Sequence, residues 1–193
     1  HYLADLVSFW PARDHRRAAR DALRLLDVEV EDATADLVCA WDALGGDALP
    51  SSELGLSAQA LGRQLALPGC VAFKAIAEDG AVAMAVVYVS GNDATLHAMT
   101  TSAAGEELGA RYALVQTMAE DMAGRGLRSL DLGSADADPA FMDGWTETTQ
   151  PSFRCGRIID RVAYEELVAA AGTADSAVFP SYRDPAARAP EAY

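Results

Sequence analysis

The chain has 193 residues, of which 51% are hydrophobic, and a formal net charge of −14 at pH 7. That length suits one domain with a large core, although Ala supplies much of the apolar count. The acidic balance argues against a surface that wraps naked nucleic acid, which needs clustered Lys and Arg. No run of 18 apolar residues exists to span a membrane.

The three cysteines, Cys39, Cys70 and Cys155, are odd in number, far apart and set in apolar runs. They read as reduced, buried, small hydrophobes. No metal-ligand spacing links them to the three His residues, so no metal is expected. The opening HYLADLVSFW has no basic leader and no long apolar core, which makes the cytoplasm the expected compartment. It also lacks Met and reads as mid-element sequence, as in a chain trimmed from a longer protein.

Residues 13–26 (RDHRRAARDALRLL) predict a helix with a narrow stripe of Ala19, Leu23 and Leu26. Its arginines (Arg13, Arg16, Arg17, Arg20 and Arg24) form either a solvated face or a surface for an anionic ligand. Val28 to Glu31 alternates as a short half-buried strand does. Asp32 or Thr34 can cap a helix through Leu44, with Leu37, Val38, Trp41 and Leu44 on one side. A further helix fits 56–67, with Leu56, Leu61 and Leu65 inward, and Pro68-Gly69 ends it. Three strands follow. Cys70 to Ala77 turns at Glu78-Asp79-Gly80, a hairpin signal. Ala81 to Ser90 is nearly all apolar, as in a strand covered on both faces. Gly91-Asn92-Asp93 turns the chain into Ala94 to Thr101.

The stretch from Ala94 to Ser134 organises the rest. In its middle, Leu108, Tyr112, Val115, Ala119 and Met122 recur at helical steps. Arg128 to Gly133 is strand-like. A strand–helix–strand unit of this kind leaves its two strands parallel in one sheet. Asp138 and Pro139 then form a cap and first turn for a short helix to about residue 145. Ser152 to Arg161 reads as a last strand, 163–171 as a helix, and the sequence from Pro180 as a loosely held tail. The fold class is therefore α+β, a mixed and mostly antiparallel sheet with flanking helices, in the order β-α-α-β-β-β-α-β-α-β. The expected divisions are a helical lead-in over 1–27, one domain over 28–172 and a tail over 173–193.

That order resembles the GNAT acyltransferase fold over about residues 28–161. Three local features narrow the resemblance: Arg16-Arg17-x-x-Arg20 ahead of the domain, a strand ending Asp131-Leu132-Gly133, and Phe141-Met142-Asp143-Gly144-Trp145 after it. They are similar to the R-x-x-R, D-x-G and F-K-x-G-aromatic segments of Fem-type aminoacyltransferases. Those enzymes have two GNAT-like halves, whereas this chain has length for one, which implies a homodimer or a further N-terminal half. Two departures stand out. The family's Lys after Phe is Met142, which supplies no positive charge. The phosphate-holding loop of CoA-binding GNATs is replaced by Ser102 to Ala110, where Glu106 and Glu107 would repel a phosphate.

The resemblance implies an N-acyltransferase that moves an acyl or aminoacyl group onto the amine of a small molecule or peptide. The donor would be acyl-CoA, aminoacyl-tRNA or a carrier-bound acyl group, with tRNA the least suited to so acidic a chain. A GNAT-like domain that has lost catalysis and serves as a binding or scaffolding module is the alternative. Acyl transfer to an amine needs a base and donors for the developing oxyanion. His97, on the strand before the long helix, is the candidate base, and Tyr88 the candidate acid. Asp131 sits at a strand end beside the expected splay, with Ser134 and Asp136 in the loop after it. Arg111 can meet a carboxylate or phosphate, or pair with Glu107. Phe141 and Trp145, four residues apart, line the substrate or pack in the core.

Overall fold

The computed structural model describes residues 1–32, 37–44, 58–133, 138–151, 156–174, 176 and 179–183, the side chains of 58–61 and 183 excepted. By contact density the chain forms two compact units. One comprises His1–Ser51 with Leu56–Pro151, and the other Ser52–Gly55 with Ser152–Tyr193.

The first unit is built on a six-stranded sheet in the order β1-β6-β5-β4-β3-β2. Its strands are β1 (Leu3–Asp5), β2 (Asp27–Asp32), β3 (Cys70–Ala77), β4 (Gly80–Ser90), β5 (Asp93–Thr101) and β6 (Ser129–Asp131). All neighbours are antiparallel except β5 and β6, the pair joined through the long helical segment. The α+β class and mostly antiparallel sheet are those the element order predicts. β4 is central and sorts its side chains by alternation. Ala83, Ala85 and Val87 enter one core, and Met84 and Val86 the other. At the far edge, β2 shows solvent a row of acids. Lys74 of β3 pairs with Glu29 at 3.5 Å and Glu31 at 2.8 Å. Charges of this kind discourage further strands from adding there.

Helices cover both faces. α1 (Arg13–Ala22) and α5 (Ala110–Gly124) pack on the larger core, whose helical part includes Ala19, Ala22, Ala113, Leu114, Met118 and Met122. On the other face, α2 (Leu37–Ala43) and α3 (Ala58–Leu65) contribute Leu37, Trp41 and Leu65 to a smaller core. α1 is shorter than predicted. The chain leaves the helix after Ala22, which puts Ala22 and Leu26 inside and leaves Leu23 37% exposed.

The segment before α5 is not one helix. α4 (Ala103–Glu107) stops at Gly109, whose φ of +70° lies in the left-handed region. α4 also lies so close to the sheet that a Cβ on Gly105 would strike the Val82 carbonyl oxygen and the Thr101 methyl.

β1 carries no strong strand signal, yet it pairs antiparallel with β6 and buries Ala4, with Tyr2 and Leu6 beside it. The predicted strand over 152–161 is not seen where it can be judged. Residues 152–155 lie outside the described residues, 156–160 form no strand, and Arg161 already begins α7 (Arg161–Ala171). α6 (Pro139–Asp143) starts as predicted, with the Asp138 carboxylate accepting from the Phe141 amide at 3.1 Å. In the second unit, Asp160 caps α7, and Tyr164 packs on Phe179 and Tyr182. Two cysteines are described: Cys70 is buried, but Cys39 is exposed, contrary to its apolar surroundings in sequence. Among the described residues no helix is long and apolar enough to cross a membrane.

Candidate active site

β5 and β6 pair only from Asp93 to Thr95 against Ser129 to Asp131. β5 then runs on to Thr101, whereas β6 ends, so the two parallel strands part beyond Thr95. The register carries one row across the sheet here. Asp131 stands beside Thr95, Thr95 beside Tyr88, and Tyr88 beside Cys70. Leu130 and Leu132 point into the α1/α5 core, which leaves Asp131, between them, on the α2/α3 face.

His97 lies two residues past the last β5–β6 pair. The β4–β5 register slips there, Val86 facing Ala98 and Val87 facing Leu96, so His97 is the extra residue of a bulge. Its Nε2 meets Gln64 Oε1 of α3 at 2.8 Å, and its ring lies 4.9 Å from that of Tyr88. With an amide oxygen as partner, Nε2 carries the proton and Nδ1 keeps the lone pair. Burial holds the His97 pKa below its ordinary 6.5, so the ring is neutral at pH 7. Burial likewise raises the Tyr88 hydroxyl to about 12, and it stays protonated. Among the described residues the hydroxyl has no hydrogen bond of good geometry, and the Cys70 thiol, raised to about 11, is its cross-strand neighbour.

Asp131 spends its carboxylate locally. One oxygen accepts from the Gly133 amide at 2.8 Å, and the other lies 2.7 Å from His1 Nδ1. Ser134 and Asp136 lie outside the described residues.

The other predicted contacts gather on the opposite face. Arg111 does not pair with Glu107. It reaches Glu106 at 3.3 Å and Asp138 at 3.4 Å, and its guanidinium stacks 4.6 Å over Phe141. Phe141 and Trp145 are buried in the α1/α5 core with Tyr112 and His15. His15 Nε2 bonds to the Phe141 carbonyl at 2.9 Å, and its ring lies where a Gly144 side chain would be. Met142, in the place of the family's Lys, is core as well. Among the described residues no hydrogen bond, ion pair or ring contact joins this cluster to His97, Tyr88 or Asp131.

The start of α4 is closed to a ligand phosphate. Ser102 Oγ accepts from the Gly105 amide at 3.2 Å and donates to the Val82 carbonyl at 3.0 Å, and Glu106 follows in the first turn. Among the described residues no group of three or more His, Cys, Asp or Glu side chains gathers to hold a metal ion. Sequence reasoning missed Gln64 as the partner of His97, its one signal being a polar residue next to the inward Leu65. It also missed His15, which nothing in an arginine-rich helix marks as a partner of the aromatic cluster.

No family model and no curated protein matches the chain. Solved structures do. FemX overlays with a TM-score of 0.58 at 12% identity, over 75% of this chain and 57% of FemX. L-PGS from Bacillus licheniformis overlays with a TM-score of 0.54 at 16% identity, over 76% of this chain and 48% of that one. The fold is GNAT-like. The aminoglycoside N-acetyltransferase AAC(6')-Iy, solved with CoA, overlays at 0.52 and 16% identity, over 69% of this chain and 97% of its own. The chain thus spans about half the length of FemX and L-PGS, whereas about two thirds of it covers nearly all of the aminoglycoside N-acetyltransferase.

Proposed function

We propose that the chain is an N-acyltransferase that moves an acyl or aminoacyl group from an activated donor to an amine, with His97 as the base. The observation that carries this reading is the bulge. It sets a neutral imidazole beside the parting of two parallel strands, with Nε2 engaged by Gln64 and Nδ1 holding a lone pair.

In the reaction the amine nitrogen attacks the acyl carbonyl carbon, and His97 Nδ1 takes the proton the nitrogen loses. Collapse of the tetrahedral intermediate breaks the bond to the leaving group. The Tyr88 hydroxyl, protonated across the physiological range, is suited to give that group a proton, which His97 can return. The β5 edge beyond Thr95 suits an extended donor whose amides add to the sheet as another strand would. A donor gripped there does not depend on the α4 terminus, which Ser102 and Glu106 occupy. Asp131, at the last pair of the parting strands, orients the amine in this reading through the oxygen that otherwise meets His1. The acidic chain favours a small or carrier-bound donor over tRNA.

Two observations favour the alternative of a non-catalytic binding module: Met142 is buried in the core, and the phosphate loop is replaced by a capped helix. One experiment separates the readings. A panel of acyl-CoAs, aminoacyl donors and carrier-bound acyl groups is assayed against amine acceptors, with His97→Ala, Tyr88→Phe and Asp131→Asn alongside. The enzyme predicts turnover by the wild type and a loss of about 10²–10⁴-fold in His97→Ala. Wild-type turnover in His97→Ala would sink the assignment of the base, and no turnover with any donor would favour the module.

A further inference from the structure

A cavity of about 520 Å³ lies apart from the proposed active site, between the segment Leu6–Pro11, Arg16 of α1 and the second half of α5. Its floor is apolar and includes the buried Leu6 and Ala119. Its rim is not. Arg16, like Arg13 and Arg20 of the same helix, is not ion-paired among the described residues, and its ring contact with Trp10 sets it apart. Arg17 and Arg24 both meet Asp21, at 3.7 and 3.3 Å, whereas Arg16 has no carboxylate partner among the described residues. The Arg16 guanidinium lies instead 3.9 Å over the ring of Trp10, which is 76% exposed. Its Nε is buried without an acceptor among the described residues.

Across the cavity on α5, Gln116 donates through Nε2 to Glu120 Oε1 at 2.7 Å. That bond fixes the amide orientation, and the buried Gln116 Oε1 has no donor among the described residues. An unmet buried polar atom is destabilising. Neither atom has a partner among the described residues, so a ligand that reaches them satisfies both, at the cost of loosening the Gln116–Glu120 bond or the Arg16–Trp10 contact.

The cavity therefore offers a cation on an aromatic platform at one side, a carboxylate and an amide oxygen at the other, and apolar surface between. A bare anion would satisfy Arg16 but meet Glu120 and a chain of net charge −14. A zwitterion meets both sides and carries no net charge. We propose that this groove binds a free α-amino acid with an apolar side chain. Its carboxylate would lie on Arg16, its ammonium between Glu120 and Gln116 Oε1, and its side chain on the apolar floor. This site stands independently of the acyltransferase reading, because none of its residues belongs to the His97 face.

The test uses the emission of Trp10. Trp10 is exposed and Trp41 and Trp145 are buried, so the acrylamide-accessible part of tryptophan fluorescence reports the groove. The wild-type chain is titrated with leucine, phenylalanine, their N-acetyl and carboxamide derivatives, and sodium acetate. The expected result is a saturable change with a free amino acid at or below about 10 mM. Both derivatives should bind at least ~10-fold more weakly, and Arg16→Met and Gln116→Leu should lower affinity about tenfold at an unchanged melting temperature. The proposal is overturned by no saturable change with any amino acid. Equal binding of the derivatives or acetate, or wild-type affinity in both variants, would overturn it as well.

Discussion

At the scale of single residues, His97 is defined by what surrounds it. Gln64 takes one ring nitrogen, and the ring of Tyr88 lies against its own. Burial lowers its pKa, and the sign of two pH effects follows. As a base it works only when neutral, so turnover should fall as pH drops through a value below 6.5. The unfolded chain takes up the His97 proton at higher pH than the folded chain. The stability tied to this residue is therefore whole above about pH 6.5 and is lost as pH falls from there through the lowered folded value. Melting curves of the wild type and His97→Gln between pH 7.5 and 5 isolate the effect from His1 and His15. The wild type should lose ground relative to the variant as the pH falls, and parallel curves would show that burial does not hold the imidazole neutral. Histidine, tyrosine and aspartate are each legible in sequence as candidates, but the Gln64 bond is not, because it joins residues 33 positions apart on different elements.

At the scale of elements, the strand most readily overlooked does the most for the site. β1 is three residues long and lies beside β6, so the strand that carries Asp131 is not an edge. Ala4, 1% exposed, faces the α1/α5 core. Ala4→Asp would bury a carboxylate without a partner and should cost about 3 kcal/mol, read as a lowered urea midpoint with an unchanged m value. A change below ~0.5 kcal/mol, the scale of an ordinary surface substitution, would mean that β1 is not docked. The break between α4 and α5 has a similarly local cause. The periodic spacing of Leu108, Tyr112 and Val115 predicts one continuous helix, but Gly109 takes a left-handed conformation and Gly105 lets α4 press on β4. Hydrophobic period registers which face is buried and does not register a glycine that turns the axis.

At the scale of the whole molecule, charge is the dominant feature. There are 29 acidic against 15 basic residues, and of the described basic ones Lys74, Arg17, Arg24, Arg111, Arg125 and Arg161 are each paired with acids. The remaining repulsion acts over a Debye length of about 30 Å at 0.01 M salt and about 10 Å at 0.1 M. The melting temperature should therefore rise by a few degrees between those two salt concentrations. A fall or no change would mean that the excess acid lies too far apart to matter.

By itself the sequence determined the class of the fold and most of its parts. The Asp-Gly turn after Ala77, the apolar run of β4 and the Asp138-Pro139 cap are local signals, and local chemistry decides them wherever the chain goes. The parallel β5–β6 pair also follows, since a helical crossover allows little else. Only the tertiary structure decided that Leu3–Asp5 joins the sheet, that Arg111 turns to Glu106 and Asp138, and that Phe141 and Trp145 are core while His97 and Tyr88 share the other face. Each of those is a contact across many residues of chain. Its energy comes from packing and burial that exist only once the sheet and its two helical layers have closed.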